Sequence, residues 1–493
     1  MMQTVKVEGG YVSGVTDGTG KVSIFKGIPY AAPPVGDLRW KAPQSVIPWS
    51  GIRKADSYGN ACIQNEMLMD PYYKREFHTD PNPMSEDCLY LNIWTPAVSD
   101  DAKTPVMMWI HGGSFRQGYG HEIEFDGEKL AEHGVIVVTI NYRLGILGFL
   151  AHPELSRETK DGISGNYGLL DQITALRWIK NNIVGFGGDP ANVTIFGQSS
   201  GAMCVQALST SPLTKELFTK AIMQSGGGIH MIEYVKLQNA EKQGSEFAGK
   251  INKSTLKELR EVPAQELIMA ASGFSKDRIA FRPNIDGVIL PEDVSDAIYH
   301  GHQHNIPYLI GSTADEMRMV FKNMPEDMFR NNMKNFYGKF ADKFINLFCT
   351  DHKLTGFDNF MAVHMAGVAR AWAQVQADQG NRAPMYVYSF IRALPGDGAG
   401  AYHNCELWYV FETLRECWRP FENTDYEISL AMSQYWTNFA KFGNPNGAEL
   451  PEWTAYTNTI PHAMSFGDKI EMIEKSDDPK VAFVRDYLTG RLR

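Results

Sequence analysis

Val193-Thr194-Ile195-Phe196-Gly197-Gln198-Ser199-Ser200-Gly201 sets a short β-branched and aromatic run directly before a G-x-S-x-G pentad, and helix-like sequence follows from Ala202 to Leu208. Strand, tight turn and helix in that order form the context in which a serine becomes a nucleophile. The flanking glycines allow a backbone conformation that side chains would obstruct, so the serine hydroxyl projects from the turn. The same turn leaves the Ser200 amide at a helix N-terminus, where unpaired N–H groups and the helix dipole favour negative charge. Ser199 is therefore the candidate nucleophile. Taken alone, the pentad leaves a glycine-rich turn without chemistry as the competing reading.

Outward from this turn, near-continuous apolar runs at Val106 to Ile110, Val135 to Asn141, Ala221 to Gln224, Ile306 to Ile310 and Met385 to Phe390 read as strands covered on both faces. Tyr167 to Ile183 carries Leu169, Ile173, Leu176, Ile179 and Ile183 at helical spacing and reads as a crossover helix. Strands alternating with helices predict an α/β fold with a central, largely parallel sheet whose ligands bind beyond the carboxyl ends of the strands. Val5, Val7, Tyr11 and Val12, then Val22, Ile24 and Phe25, flank turn-rich sequence and predict a small N-terminal β-sheet. We expect one domain over residues 1–493, with helical insertions at about 226–306 and 317–384 roofing the cleft.

Composition supports a folded chain. At 493 residues, 43% are hydrophobic and 21% charged, ordinary values for a globular protein. The net charge of -10 opposes binding to phosphate backbones or anionic membranes, so nucleic acid is not an expected partner. No apolar run approaches the ~20 residues of a membrane span. The start shows no signal peptide, which fits a cytoplasmic protein, or a secreted one whose N-terminus has been processed.

Upstream of the pentad, Trp109-Ile110-His111-Gly112-Gly113-Ser114-Phe115 ends a strand with a glycine-rich loop whose amides can approach a reacting carbonyl. It reads as an oxyanion hole or as a plain turn. A serine nucleophile also needs a base and a group to orient that base, and 13 histidines are too many to choose among by composition.

Two further motifs resolve the choice. Ser85-Glu86-Asp87-Cys88-Leu89-Tyr90-Leu91-Asn92-Ile93-Trp94 and Gly197-Gln198-Ser199-Ser200-Gly201-Ala202 resemble, in the right order, the two signatures of the type-B carboxylesterase family, and the resemblance extends over essentially the whole chain. It implies the α/β-hydrolase fold. Ile310-Gly311-Ser312-Thr313-Ala314-Asp315-Glu316 resembles the family's acid segment and implies Glu316, with Asp315 as the rival. Tyr402-His403-Asn404-Cys405-Glu406-Leu407 resembles its histidine segment and implies His403. The order serine, acid, histidine is that of α/β-hydrolases. By the same resemblance the amides of Gly113, Ser114 and Ser200 hold the oxyanion, Ser225 supports the triad or is an ordinary strand-end serine, Cys62 and Cys88 form a disulfide, and Arg39 pairs with Glu86.

The departures bear on substrate. Ser200 stands where the family usually has Ala, and Ser114 where it has Gly or Ala; both keep the backbone donor. Gln198 replaces a glutamate common in cholinesterases, and the loop from Cys62 to Cys88 holds no tryptophan for a cation-π contact, so choline esters are disfavoured. That loop instead carries Met67, Met69, Tyr72, Tyr73 and Phe77, apolar groups that either line the cleft or pack in the core. The most metal-like pattern, His300-Gly301-His302-Gln303-His304, reads most simply as a solvated histidine cluster in a loop before a strand.

The expected function is two-step acyl transfer on uncharged, short to medium carboxylic esters, with no metal or organic cofactor and a small-molecule ester as the partner. A lipase or a carbamate or amide hydrolase would use the same triad. A non-catalytic adhesion protein of the same fold is the alternative from another class.

Overall fold

The computed structural model describes residues 4–65, 71–77, 83–274, 280–350, 353–380, 382–473 and 478–492. Its centre is an eleven-stranded sheet. In chain order the strands are β1 (Val15–Thr16), β2 (Ser23–Pro29), β3 (Tyr90–Thr95), β4 (Thr104–Ile110), β5 (Ile136–Ile140), β6 (Gly188–Gln198), β7 (Lys220–Gln224), β8 (Tyr308–Thr313), β9 (Met385–Phe390), β10 (Ala463–Phe466) and β11 (Ile470–Ile473). Across the sheet they lie in the order β11-β10-β9-β8-β7-β6-β4-β5-β3-β2-β1. From β5 to β10 every neighbouring pair is parallel. The antiparallel pairings are confined to the two margins.

The period of two along a strand decides which core each side chain enters. Val106, Met108 and Ile110 of β4 join one hydrophobic cluster, while Met107 and Trp109 join the cluster on the opposite face. The first is covered by α2 (Tyr167–Asn182), whose Leu169, Ile173, Leu176 and Ile179 are buried at the predicted helical spacing. The second is covered by α6 (Asn423–Phe442) through Ile428, Met432, Tyr435, Trp436 and Phe439. The central strands are thus apolar on both faces, the condition for a parallel sheet. This is the layered arrangement that the resemblance implies.

The small N-terminal β-sheet has three strands, and one of them differs from the expected set. Gly10–Ser13 lies between Thr4–Val7 and Ile52–Lys54, whereas Ser23–Pro29 leaves them and joins the main sheet beside β3. Phe25 and Ile28 are fully buried there. The segment 226–306 holds helices Leu237–Lys250, Leu256–Glu261, Ala264–Ser272 and α4 (Val294–His300). The segment 317–384 ends in α5 (Phe360–Asp378), which packs against β8 and β9 as a crossover helix. A third cluster forms around Phe329, Met333, Tyr337 and Phe344 with Phe483 and Val484 of the helix Pro479–Leu488.

Around the loop after Cys62, the Arg39 guanidinium grips Glu86 through two contacts of 2.6 Å and donates to the carbonyls of Val262 at 2.6 Å and Arg260 at 3.0 Å. Cys62 and Cys88 are both buried, and Sγ of Cys62 accepts the Leu144 amide at 3.4 Å. Met67 and Met69 lie outside the described residues.

Candidate active site

Four turns at the carboxyl edge of the parallel strands converge. The turn after β6 carries Ser199 with φ 55° and ψ -127°, a strained conformation between the strand and α3 (Ser200–Thr210). Here glycine is a steric requirement: a Cβ on Gly201 would lie 2.1 Å from the Ile110 carbonyl oxygen. The Ser199 amide donates to the Gln224 carbonyl at 2.8 Å, fixing the turn against β7. The first bond within α3 runs from the Met203 amide to the Ser199 carbonyl, so the amides of residues 200 to 202 have no intrahelical partner.

The turn after β4 faces this elbow. Gly113 has φ 102°, and a Cβ there would sit 2.1 Å from the Gln117 carbonyl oxygen. The Gly113 carbonyl accepts the amides of Arg116 and Gln117, both at 3.1 Å, which folds the loop back on itself. A bond between the two turns comes from Ser200, whose hydroxyl oxygen accepts the Phe115 amide at 3.1 Å. The Phe115 carbonyl in turn accepts the Gly145 amide at 2.6 Å. The amides of Gly113, Ser114 and Ser200 donate no hydrogen bond within the described residues. They are free to meet an oxyanion.

The turn after β8 separates the two carboxylates that the sequence left in competition. Glu316 is fully buried, accepts the Thr313 amide at 3.0 Å through Oε1, and through Oε2 is hydrogen-bonded to Nδ1 of His403. Asp315 points the other way, accepting the Ala401 amide at 2.9 Å and pairing with Arg318 at 3.0 Å. Those contacts lay the segment after β9 along the acid turn and so deliver His403 to it. Burial pulls the His403 imidazole towards its neutral form, but the Glu316 charge and hydrogen bond, with the Glu406 charge added, leave its pKa raised above the ordinary 6.5.

Nε2 of His403 lies 3.1 Å from the side-chain amide nitrogen of Gln198. With Nδ1 donating to Glu316, Nε2 holds the lone pair and Gln198 donates to it. No hydrogen bond joins the Ser199 hydroxyl to His403. Ser225, with φ 51°, buries a hydroxyl that has no hydrogen-bond partner among the described residues.

Sequence reasoning missed three neighbours. Gln198 was read only for its missing charge, not as a partner of the histidine. Glu406 is fully buried near Glu316 and His403, and one of its oxygens has no hydrogen-bond partner among the described residues; burial first, then the Glu316 charge, pushes its carboxyl up to about 7. It stands inside the quoted histidine segment, but nothing in its spacing separates it from a solvated glutamate. Glu76 receives Arg419 at 2.7 and 2.9 Å, Trp418 at 3.0 Å and the Tyr402 hydroxyl, one residue before His403.

A hydroxyl on a strained elbow, an imidazole held by a buried carboxylate and three unengaged amides can carry out acyl transfer. The sequence profile of the Carboxylesterase family matches residues 2–484. The chain is 37% identical to Fumonisin B1 esterase of Sphingopyxis macrogoltabida, over 93% of this chain and 86% of that one. It is also 37% identical to Para-nitrobenzyl esterase of Bacillus subtilis, over 92% of each. A solved PNB esterase structure superposes with a TM-score of 0.86 at 33% identity, covering 99% of both chains.

Proposed function

The chain belongs to the carboxylesterase family and is a serine hydrolase of carboxylic esters with the α/β-hydrolase fold, and on that premise we propose that Ser199, Glu316 and His403 are its catalytic triad. The observation that carries the assignment is the hydrogen bond between Nδ1 of His403 and buried Glu316, at the strand edge where Ser199 tops its elbow. His403 takes the Ser199 proton at Nε2 as the hydroxyl oxygen bonds to the ester carbonyl carbon, and Glu316 steadies the resulting imidazolium. The amides of Gly113, Ser114 and Ser200 hold the oxyanion. As the tetrahedral intermediate collapses, the bond to the alcohol oxygen breaks and His403 returns the proton to it. Water repeats the sequence on the acyl-serine, releasing the acid and restoring the hydroxyl.

For the Ser199 attack, the hydroxyl must displace the Gln198 amide from Nε2. Ser225 supports the triad from behind. Residues 1–493 act as one domain, with the helical segments at about 226–306 and 317–384 shaping the cleft. The preferred substrates are uncharged esters of short to medium chain. What supports the lack of charge is the neutral Gln198 beside the base, which gives a cationic group no counter-charge, and the net charge of -10, which repels anions. Lipase, carbamate or amide hydrolysis and a non-catalytic adhesion role are not favoured, since the relatives that match over nearly the whole chain include esterases and carboxylesterases. Among the described residues no helix is long and apolar enough to cross a membrane.

The test is the initial rate on p-nitrophenyl acetate, butyrate, octanoate and palmitate, with Ser199→Ala prepared in parallel. Turnover that needs Ser199 and falls with chain length is expected. Equal rates in the two proteins would remove Ser199 from the mechanism, and a maximum at palmitate would overturn the proposed chain-length preference.

A further inference from the structure

We propose that Glu292, His300 and His302 form a binding site for one divalent transition-metal ion of the zinc class, separate from the esterase site. The sequence read the run from His300 to His304 as a solvated loop cluster, but the fold divides it. His300 is the last residue of α4, and Gly301 follows in the left-handed conformation with φ 73° and ψ 25°. The Gly301 amide bonds the Ile298 carbonyl at 3.1 Å and the His302 amide bonds the Ala297 carbonyl at 2.8 Å. This paired closure is a helix stop that fixes where both imidazoles begin. Arg382 clamps the same turn from outside, donating to the carbonyls of Gly301 and Gln303 at 2.9 Å each.

On that fixed backbone the two rings turn towards one carboxylate. Nδ1 of His302 is 2.5 Å from Oε1 of Glu292, and Nδ1 of His300 is 3.4 Å from Oε2. The ligand atoms of all three residues lie within 4.8 Å of one another. His304 takes no part: its Nε2 bonds the Ser211 carbonyl at 3.1 Å and its amide bonds the Ser209 carbonyl at 2.8 Å.

Two imidazole nitrogens and one carboxylate are a donor set suited to zinc, cobalt, nickel or copper rather than to magnesium or calcium, which select oxygen. The ion would replace the Nδ1 protons that Glu292 otherwise accepts. His300 and His302 are about three-fifths exposed, so water completes the coordination.

The experiment uses full-length, untagged protein freed of metal by chelator dialysis. Zn²⁺ binding is followed by calorimetry, Co²⁺ binding by visible absorption, and thermal unfolding is recorded with and without Zn²⁺. One saturable equivalent is expected, with a rise in Tm on binding. Affinity should fall at least about tenfold in each of His300→Ala, His302→Ala and Glu292→Gln, and be unchanged in His304→Ala. Absence of saturable binding to the wild type, equal affinity in the three ligand variants, or a loss in His304→Ala matching theirs would each overturn the site. Glu292, His300 and His302 are at the surface, whereas His304 packs on Phe218 of the largest cluster, with ring centroids 5.4 Å apart; a circular-dichroism spectrum shared with wild type confirms that a loss of binding is not a loss of fold.

Discussion

As the proposed base, His403 works only when its Nε2 is unprotonated, and on that reading its environment sets the acid limb of the pH profile. Burial works against the charged ring, and the Glu316 charge and hydrogen bond, reinforced by Glu406, outweigh it and raise the pKa. A raised pKa keeps the imidazole protonated to higher pH, so kcat/KM should fall as pH drops through a midpoint above 6.5. A midpoint below 6.5 would contradict the proposed pairing with Glu316. Gln198→Glu would place a second carboxylate beside the same ring and move the midpoint upward by about 1 unit or more, with lower activity at pH 7. An unmoved midpoint would mean that residue 198 does not touch Nε2 in the working enzyme. Ser200 makes a separate contribution, since its hydroxyl accepts the Phe115 amide. Ser200→Ala strands that buried donor and should lower stability by about 1–3 kcal/mol and reduce kcat more than it changes KM. Denaturant unfolding and steady-state kinetics check this, and a fully wild-type variant would show that the loop after β4 needs no such tie.

At the scale of elements, α1 (Pro71–Phe77) is held over the histidine turn by one carboxylate. Glu76 and Arg419 are both fully buried as side chains, and the Tyr402 hydroxyl and the Trp418 indole share the same acceptor. Removing Glu76 leaves Arg419 buried with Asp397, at 2.9 and 3.1 Å, as a remaining carboxylate partner. Breaking a buried pair in this way costs about 3–5 kcal/mol, and Asp397 places Glu76→Ala near the lower end. Alongside a lower Tm, trypsin should then cut after Lys74 or Arg75 under conditions where the wild type stays whole. An unchanged Tm and digestion pattern would show that α1 is held by other contacts, such as the stacking of Phe77 on Trp408 at 5.8 Å. This latch was illegible in the sequence. Lys74-Arg75-Glu76 reads as an exposed charged turn, and its partner Arg419 is 343 residues away. The core strands were legible because burial on both faces demands an apolar run, as in Ile-Val-Val-Thr-Ile of β5, whose residues are all buried. β10, with only Ala-Met-Ser-Phe, is too short to show a period, and Ser23–Pro29 was assigned to the wrong sheet because pairing partners are not written in a strand's own residues.

Across the whole molecule, the site gathers turns that follow β4, β6, β8 and β9. Only the turn after β6 announces its chemistry locally, through the constraint that Gly197 and Gly201 satisfy. Glu316 and His403 could be picked out through motif resemblance, not from any periodicity, and the Gln198 and Glu406 contacts depend on side-chain geometry that no spacing encodes. One property of the whole chain was available from composition: 57 acidic against 47 basic residues give a net charge of -10. A field of that sign repels anions at long range and leaves neutral ligands unaffected. An ester whose acyl chain ends in a carboxylate should therefore gain kcat/KM severalfold as ionic strength rises from about 0.01 M to about 1 M, where the screening length shrinks from about 30 Å to about 3 Å. The uncharged ester of equal chain length should change by less than about twofold, since screening has no charge to act on. Stopped-flow or initial-rate measurements on the pair, at fixed pH, separate the field from any effect of salt on the fold, because the latter would move both substrates together. If the anionic ester instead slows as salt is added, cationic groups near the cleft outweigh the global charge, and the preference for uncharged substrates would have to be withdrawn.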